Sequence, residues 1–290
     1  MSSPSWDYIA KLVCIGDSGC GKSSLTIRLC EGRFVTHHDV TIGVEFGSRI
    51  VPVGPPHSKS LPAPAQPTTS ASSPPAAAAA ADEPSSATEP APNGLPPPPT
   101  TKKSQGPPAP QKHMKLSLWD TAGQETYKSV TRSYFRGASG ALLVFDLTRR
   151  STFLHATDWL NDLRQIAEPD IVVVLVGNKA DLTMQSSSAA AEGSGSGGEG
   201  GENKREVTRE EASEWARRNG VLEYVETSAK SGENVEEAFM RVAERIYQNI
   251  QAGKYDLNDR RSGVKGPSAG TAGSRSIKIE ASKAAGGGCC

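Results

Sequence analysis

Four short stretches carry residue types whose spacing can do chemistry. The first is GDSGCGKS, Gly16 to Ser23. Its glycines let the backbone curl so that successive N–H groups point inward at phosphate oxygens. Lys22 can then reach the β- and γ-phosphates of a nucleotide, and the hydroxyl of Ser23 can ligate Mg²⁺. A helix opening at Lys22 would turn its own N-terminal N–H groups toward the same anion. The second is WDTAGQ, residues 119–124. There Asp120 can hold a Mg²⁺-bound water, the N–H of Gly123 can face a γ-phosphate, and Gln124 can orient an attacking water. The third is GNKAD, residues 177–181. Asp181 can accept two hydrogen bonds side by side, which suits the N1–H and exocyclic amine of guanine. Adenine supplies no such pair, and a site built this way leaves a buried charge unpaired with the wrong base. TSAK, residues 227–230, is the fourth. DxxGQ or NKxD alone is a weak signal, but all four in this order are specific.

Strands and helices must hold these stretches. Residues 8–15 read as a buried strand, with a helix over 22–29 after the Gly-rich turn. Residues 44–51 and 114–119 are strand candidates; in the second, Met114, Leu116 and Leu118 share one face and Lys115 and Ser117 the other. The runs ALLVFDL (141–147) and IVVVLV (171–176) have the length and β-branching of strands covered on both faces. A last strand spans 222–227. Helices fill the gaps at 151–167, 208–219 and 234–250. The second opens on a capping box, Thr208 with Glu211, and closes at Gly220. The third carries Val235, Phe239, Val242, Ile246 and Ile250 on one stripe. This alternation predicts a mostly parallel six-stranded sheet with helices on both faces. Every chemical stretch then follows the carboxyl end of a strand, where ligands bind in open α/β sheets.

Composition bounds the domain. Residues 53–113 hold 17 of the 21 prolines, twelve alanines, eight serines and no aromatic residue. Such a segment buries too little apolar surface to offset its ordering entropy. Residues 184–203 are Ser/Gly/Ala/Glu-rich with six glycines, and the last 37 residues lack a core pattern. Setting these aside leaves 172 residues, one ordinary domain with a sizeable core. The charge balance of 32 against 32 argues against a nucleic-acid binder working through bulk positive charge. No apolar run approaches a membrane span, and the N-terminus lacks a signal peptide's organisation. Cys14, Cys20 and Cys30 show no metal or redox spacing, which fits a reducing compartment.

The sequence resembles the small GTPases of the Ras superfamily and, within them, the Rab family. The resemblance covers residues 8–253 outside the two inserts. It rests on the four stretches above and on IGVEF (42–46), KLSLWD (115–120), YFRGA (134–138) and LVFDLT (143–148). TIGVEFGSRI, GENVEEAF and IYQNIQAGKYDLNDRRSGVK look like the branch holding subfamilies two, four and fourteen, closest to four and fourteen. The implied fold is a Ras-like P-loop GTPase domain, with GTP or GDP and Mg²⁺ as ligands. Ser18, Gly19, Cys20, Gly21, Lys22, Ser23 and Ser24 would surround the phosphates, with Gly123. Thr41 would be the switch-one threonine, bound to Mg²⁺ with Ser23 and Asp120 when GTP is present. Phe34 would pack edge-on against guanine. Asn178 and Lys179 would brace the base pocket beside Asp181, Ser228 and Lys230, and the N–H of Ala229 would read guanine O6. Gln124 would be catalytic. Phe46, Trp119 and Tyr134 would form the aromatic triad that effectors read, beside Ile42. Implied partners are an exchange factor, a GTPase-activating protein, a GDP-dissociation inhibitor, prenylation escort machinery and effectors, with no nucleic acid.

Departures from the family pattern matter too. An Arg-Phe pair usually follows GQE; here Thr126 and Tyr127 stand there, which leaves Gln124 in place and changes the side chains that switch two, the segment after it, offers to partners. Cys20 replaces a common valine. The segment from Lys254 is expected as a tail of net charge +4, ending in Cys289 and Cys290. In Rabs such a pair is doubly geranylgeranylated, and two lipids anchor stably where one does not. The family resemblance implies the cytoplasmic face of endosomal or Golgi membranes, with a cytosolic pool.

The 53–113 segment sits where a short hairpin turn suffices, and closing it costs about 2.7 kcal/mol more than a three-residue turn. It is read as a passive disordered loop or a gene-model artefact, with PPPP (96–99) and PPAP (107–110) as possible polyproline ligands. The leading function is a GTPase switch that recruits effectors to a membrane. The alternative is a GTP-dependent membrane scaffold that does not hydrolyse. An ATPase or nucleotide kinase is disfavoured by NKAD and SAK.

Overall fold

The computed structural model describes residues 6–36, 39–57, 110–183, 204–257, 259 and 262–266. Both inserts, from 58 to 109 and from 184 to 203, lie outside the described residues, as do Cys289 and Cys290. Six strands form the main path: β1 (Tyr8–Ile15), β2 (Val44–Val53), β3 (Lys112–Thr121), β4 (Gly140–Asp146), β5 (Val172–Asn178) and β6 (Glu223–Glu226). Their order is β2-β3-β1-β4-β5-β6. Only β2 runs antiparallel on this path, in a hairpin with β3 that pairs Val53 with Lys112 at one end and Val44 with Thr121 at the other.

The helices are α1 (Lys22–Glu31), α2 (Lys128–Ser133), α3 (Arg150–Leu154), α4 (Ala156–Ile166), α5 (Arg209–Arg218) and α6 (Val235–Gln251). They cover the sheet on both faces, and period-two alternation divides the core. Leu12, Leu116, Leu118, Leu142 and Val174 face one side and pack with Leu25 of α1 and Phe239, Val242 and Ile246 of α6. Val13, Leu143, Phe145 and Leu175 face the other and pack with Phe153, Trp159, Leu163 and Ala212. The expected stripe on α6 is fully in the core: Val235, Phe239, Val242, Ile246 and Ile250 are all buried. The capping box forms as well. Thr208 Oγ1 accepts the Glu211 N–H at 3.2 Å, and the Glu211 carboxylate accepts the Thr208 N–H.

Four boundaries differ from expectation. The strands at the hairpin run to Val53 and start at Lys112, so the insert begins later and ends earlier than 53–113. The expected helix 151–167 is two helices that meet at His155. The segment between β3 and β4 carries α2, which no periodicity announced. The sheet has a seventh strand rather than six: β7 (Val264–Lys265) pairs antiparallel with β1, Val264 opposite Ala10. The expected tail therefore returns to the sheet, and Val264 is completely buried. Its place is open because β4 joins β1 only from Leu12 onward. Gly263 accepts the Lys11 N–H at 3.0 Å and so continues the ladder.

Candidate functional site

A cavity of about 500 Å³ opens at the carboxyl ends of the central strands. Its phosphate end is the loop between β1 and α1. Gly21 has φ 91°, a left-handed conformation that favours glycine, and it starts α1 with no side-chain cap. The first N–H groups of α1 thus have no side-chain cap beside the cavity, and a bound anion would satisfy them. Lys22 is 5% exposed, and its ammonium donates to the carbonyls of Gly16 and Asp17, both at 2.9 Å. Burial pushes its pKa down, while Asp120 and Asp17 nearby favour the charged form. Gly123 approaches this loop so closely that a Cβ there would sit 2.5 Å from Lys22 Nζ and Ser18 N. Ser18 N–H donates to the Gly123 carbonyl at 3.1 Å.

Three hard oxygen ligands meet beside the lysine. Ser23 Oγ lies 2.9 Å from Thr41 Oγ1 and donates to the carboxylate of Asp120. Two hydroxyls and a carboxylate, with the phosphate end adjacent, fit a small divalent cation that keeps part of its water shell. Mg²⁺ suits that donor set. Among the described residues there is no cluster of three His, Cys, Asp or Glu side chains that would suit another metal.

The base end is built by the loops after β5 and β6. Asn178 Nδ2 donates to the Cys20 carbonyl at 2.8 Å, and its Oδ1 accepts from Thr227 Oγ1 and the Ala229 N–H, both at 3.2 Å. One buried amide thus joins the phosphate loop to both base-side loops. Asp181 lines the cavity, and its Oδ1 accepts from Ser228 Oγ at 2.6 Å. The other carboxylate face is left for a ligand with paired donors. Lys179, Ala229 and Lys230 complete this wall, and Phe34 closes it opposite.

Such a cavity, with its P-loop, its Ser/Thr/Asp cluster and its carboxylate at the base end, is matched along the sequence. A family profile described as Ras family covers residues 11–60 and 100–248. The chain belongs to the Ras family. It is a small GTPase with the Ras-like α/β fold, a family whose members bind GTP and GDP with Mg²⁺ and meet exchange factors, activating proteins and effectors.

Within this Ras-family site most predicted residues converge, and three sit differently. Ser18, Gly19, Gly21, Lys22, Ser23 and Ser24 line the cavity, as do Phe34, Thr41, Gly123, Asn178, Lys179, Asp181, Ala229 and Lys230. Cys20 does not: it is fully buried, its side chain joins the α1/α6 core, and burial raises its thiol pKa. Only its backbone serves the site, so cysteine can replace valine there. Ser228 is fully buried behind Asp181 and acts on the cavity through that carboxylate. Gln124 lies just outside the wall, where its carbonyl accepts the Tyr127 N–H at 3.1 Å and starts the turn Glu125–Tyr127.

Phe46, Trp119 and Tyr134 do come together. Ring centroids are 4.5 Å apart for Phe46–Trp119 and 5.3 Å for Trp119–Tyr134. Phe46 is 65% exposed and Ile42 77%, which excludes an ordinary core role for either.

Sequence reasoning missed Asp146 and Arg149. Asp146 is 1% exposed at the end of β4. Lys179 Nζ pairs with it at 2.7 Å and Arg149 Nε at 3.2 Å. Thr148 donates to it through N–H at 2.9 Å and Oγ1 at 2.7 Å. Burial alone would raise its pKa; the hydrogen bonds from Lys179 and Thr148 outweigh that and hold it below the usual carboxylate value. Arg149 Nη2 donates onward to the Ser18 carbonyl at 2.8 Å. The carboxylate therefore ties the base-side lysine to the phosphate loop. The available signal was an aspartate at the carboxyl end of a buried apolar run, with a threonine two residues on. The phosphate loop is tied a second way: Trp159 Nε1 of α4 donates to Asp17 Oδ1 at 2.8 Å.

Proposed function

We propose that this Ras-family protein is a Rab-type GTPase. It binds and hydrolyses GTP, cycles between GDP and GTP states, and recruits effectors in vesicle-mediated traffic at the cytoplasmic face of endosomal or Golgi membranes. The observation that carries the Rab reading is the Phe46–Trp119–Tyr134 cluster, in which half-buried Trp119 and Tyr134 back the exposed ring of Phe46 and join β2 to the residues after α2, with Ile42 also exposed. Exposed aromatic surface of that kind serves protein partners.

In the GTP state Lys22 and the N–H groups at the start of α1 hold the phosphates, and Thr41 and Gly123 close over the terminal one. Ser23, Thr41 and Asp120 would hold a Mg²⁺ ion, which would supply charge neutralisation for the phosphates. Gln124 orients the attacking water. Loss of the terminal phosphate releases Thr41, and the surface at Ile42 and Phe46 moves with it. Neither insert contains an arginine, so an activating protein must supply the transition-state charge in trans. Cys289 and Cys290 take two geranylgeranyl groups after capture by an escort protein, and a GDP-dissociation inhibitor maintains the cytosolic pool.

The test is prenyl transfer to the purified GDP-bound chain. Escort-dependent addition of two geranylgeranyl groups, lost with Cys289→Ser and Cys290→Ser, is the Rab outcome. No transfer with escort protein and Rab transferase overturns the Rab assignment and leaves the GTPase assignment standing. Single-turnover hydrolysis, with and without a Rab-directed activating protein, separates the switch from a scaffold that does not hydrolyse.

A further inference from the structure

Arg28 lies in the last turn of α1, and its guanidinium meets three backbone carbonyls. Nε donates to Ala229 at 2.9 Å, Nη1 to Gly32 at 2.7 Å and Nη2 to Lys230 at 2.5 Å. The acceptors come from two segments about 200 residues apart in the chain. Gly32 ends α1 in a left-handed turn, φ 71°, and the chain leads from it to Phe34 and Thr41. Ala229 and Lys230 form the base-side wall. Charge-assisted bonds from a planar fork fix direction as well as distance, which a lysine on the same stem cannot do. The surroundings shape the fit: a Cβ on Gly232 would stand 3.7 Å from Arg28 Cδ, in van der Waals contact.

Nucleotide must leave by one of two movements. Either the segment after α1 swings Phe34 away, or the loop at Ala229 withdraws from the base. Arg28 bonds to both segments at their roots. We propose that Arg28 is a positioning residue for nucleotide retention: it clamps the switch-one hinge to the base-reading loop, so that neither opens without breaking the fork. The proposal rests on the reading that the cavity holds a guanine nucleotide with Ala229 at O6.

The experiment measures release of a fluorescent GDP analogue from the full chain, chased with excess GDP at fixed Mg²⁺. Arg28→Ala is expected to release it about tenfold to a hundredfold faster, the equivalent of losing one or two charge-assisted bonds. Arg28→Gln keeps most of the stem and carries the same expectation should the alanine variant fold poorly. Arg28→Lys retains the charge without the fork and is expected to stay at least fivefold faster than the parent chain. A second ligand, 6-thioguanosine diphosphate, replaces O6 by a weaker acceptor. The ratio of its release rate to that of GDP is expected to shrink in Arg28→Ala, because the loop that reads O6 is no longer held; general destabilisation would leave that ratio unchanged. Release from Arg28→Ala or Arg28→Gln within twofold of the parent, full rescue by lysine, or an unchanged ratio overturns the clamp. Failure of the parent chain to retain GDP would overturn the guanine reading itself, a distinct result.

Discussion

Replacing Asp146 with asparagine tests a carboxylate to which the sequence motifs assign no role. The change keeps volume and removes charge. It leaves Lys179 and Arg149 facing an amide that can present N–H where they expect oxygen. Breaking a buried ion pair by removing one partner costs about 3–5 kcal/mol. Lys179 and Arg149 keep 34% and 47% of their side-chain surface in water, so solvent takes up part of that loss. A cost of about 2–3 kcal/mol remains, a shift of about 30- to 150-fold in an equilibrium constant. With a urea dependence of about 2 kcal/mol per molar, the unfolding midpoint should fall by about 1 M at fixed excess GDP. GDP affinity should fall as well, because Lys179 loses its direction.

The pH dependence has a definite sign. The pKa of Asp146 is depressed in the folded state relative to its ordinary value of 3.8. Its contribution is complete above that value and is lost as pH falls through the lower, folded one. Parent and Asp146→Asn stabilities should therefore converge at low pH and separate fully above about pH 5. A midpoint shift under about 0.3 M at neutral pH with unchanged GDP affinity would refute the strut between base and phosphate loop.

Three further outcomes are expected. Asp181→Asn should lower GTP affinity about tenfold to a hundredfold and raise xanthosine triphosphate binding, read by competition titration; an unchanged GTP-to-XTP ratio counts against the base assignment. Intrinsic single-turnover hydrolysis should run on the order of 10⁻⁴ to 10⁻³ s⁻¹, and Gln124→Leu should cut it to less than about a tenth; equal rates would remove Gln124 from the chemistry. Replacing 58–109 by a Gly-Lys link, while keeping His57 and Gln111, should leave basal hydrolysis within about twofold, since the hairpin closes far from Gln124; a tenfold fall would place the insert in the reaction.

What the sequence disclosed was local. Gly16 to Ser23 bind one ligand from one turn, so their order alone carries the geometry. The Thr208–Glu211 cap and the α6 stripe are likewise written within a few residues. Asp146 and Arg149 escaped because their meaning depends on Lys179 and Ser18, partners far along the chain brought near by the β1–β4–β5 order. Val264 escaped for another reason: two residues show no period, and β7 exists only because β4 leaves the first half of β1 uncovered. The break at His155 has no glycine or proline to mark it. Asp181 was legible as the residue that faces the base, but the place of Ser228 behind it depends on a buried hydroxyl contact that no pattern reveals.

The end of the β2–β3 hairpin is held shut by its own side chains. Gln111 Nε2 donates to the Val53 carbonyl at 2.8 Å and to that of Lys112 at 3.1 Å, while Glu244 of α6 accepts the Gly54 N–H at 2.9 Å. The two strand ends thus stay in register whatever chain joins them. Ten residues of β3 separate this point from the Asp120 end, on the order of 30 Å of strand. The molecule therefore carries a splice port. A reporter domain or affinity tag grafted between His57 and Gln111 would ride on the GTPase without entering its cycle, and drift in the length of that segment would be nearly invisible to selection on the switch.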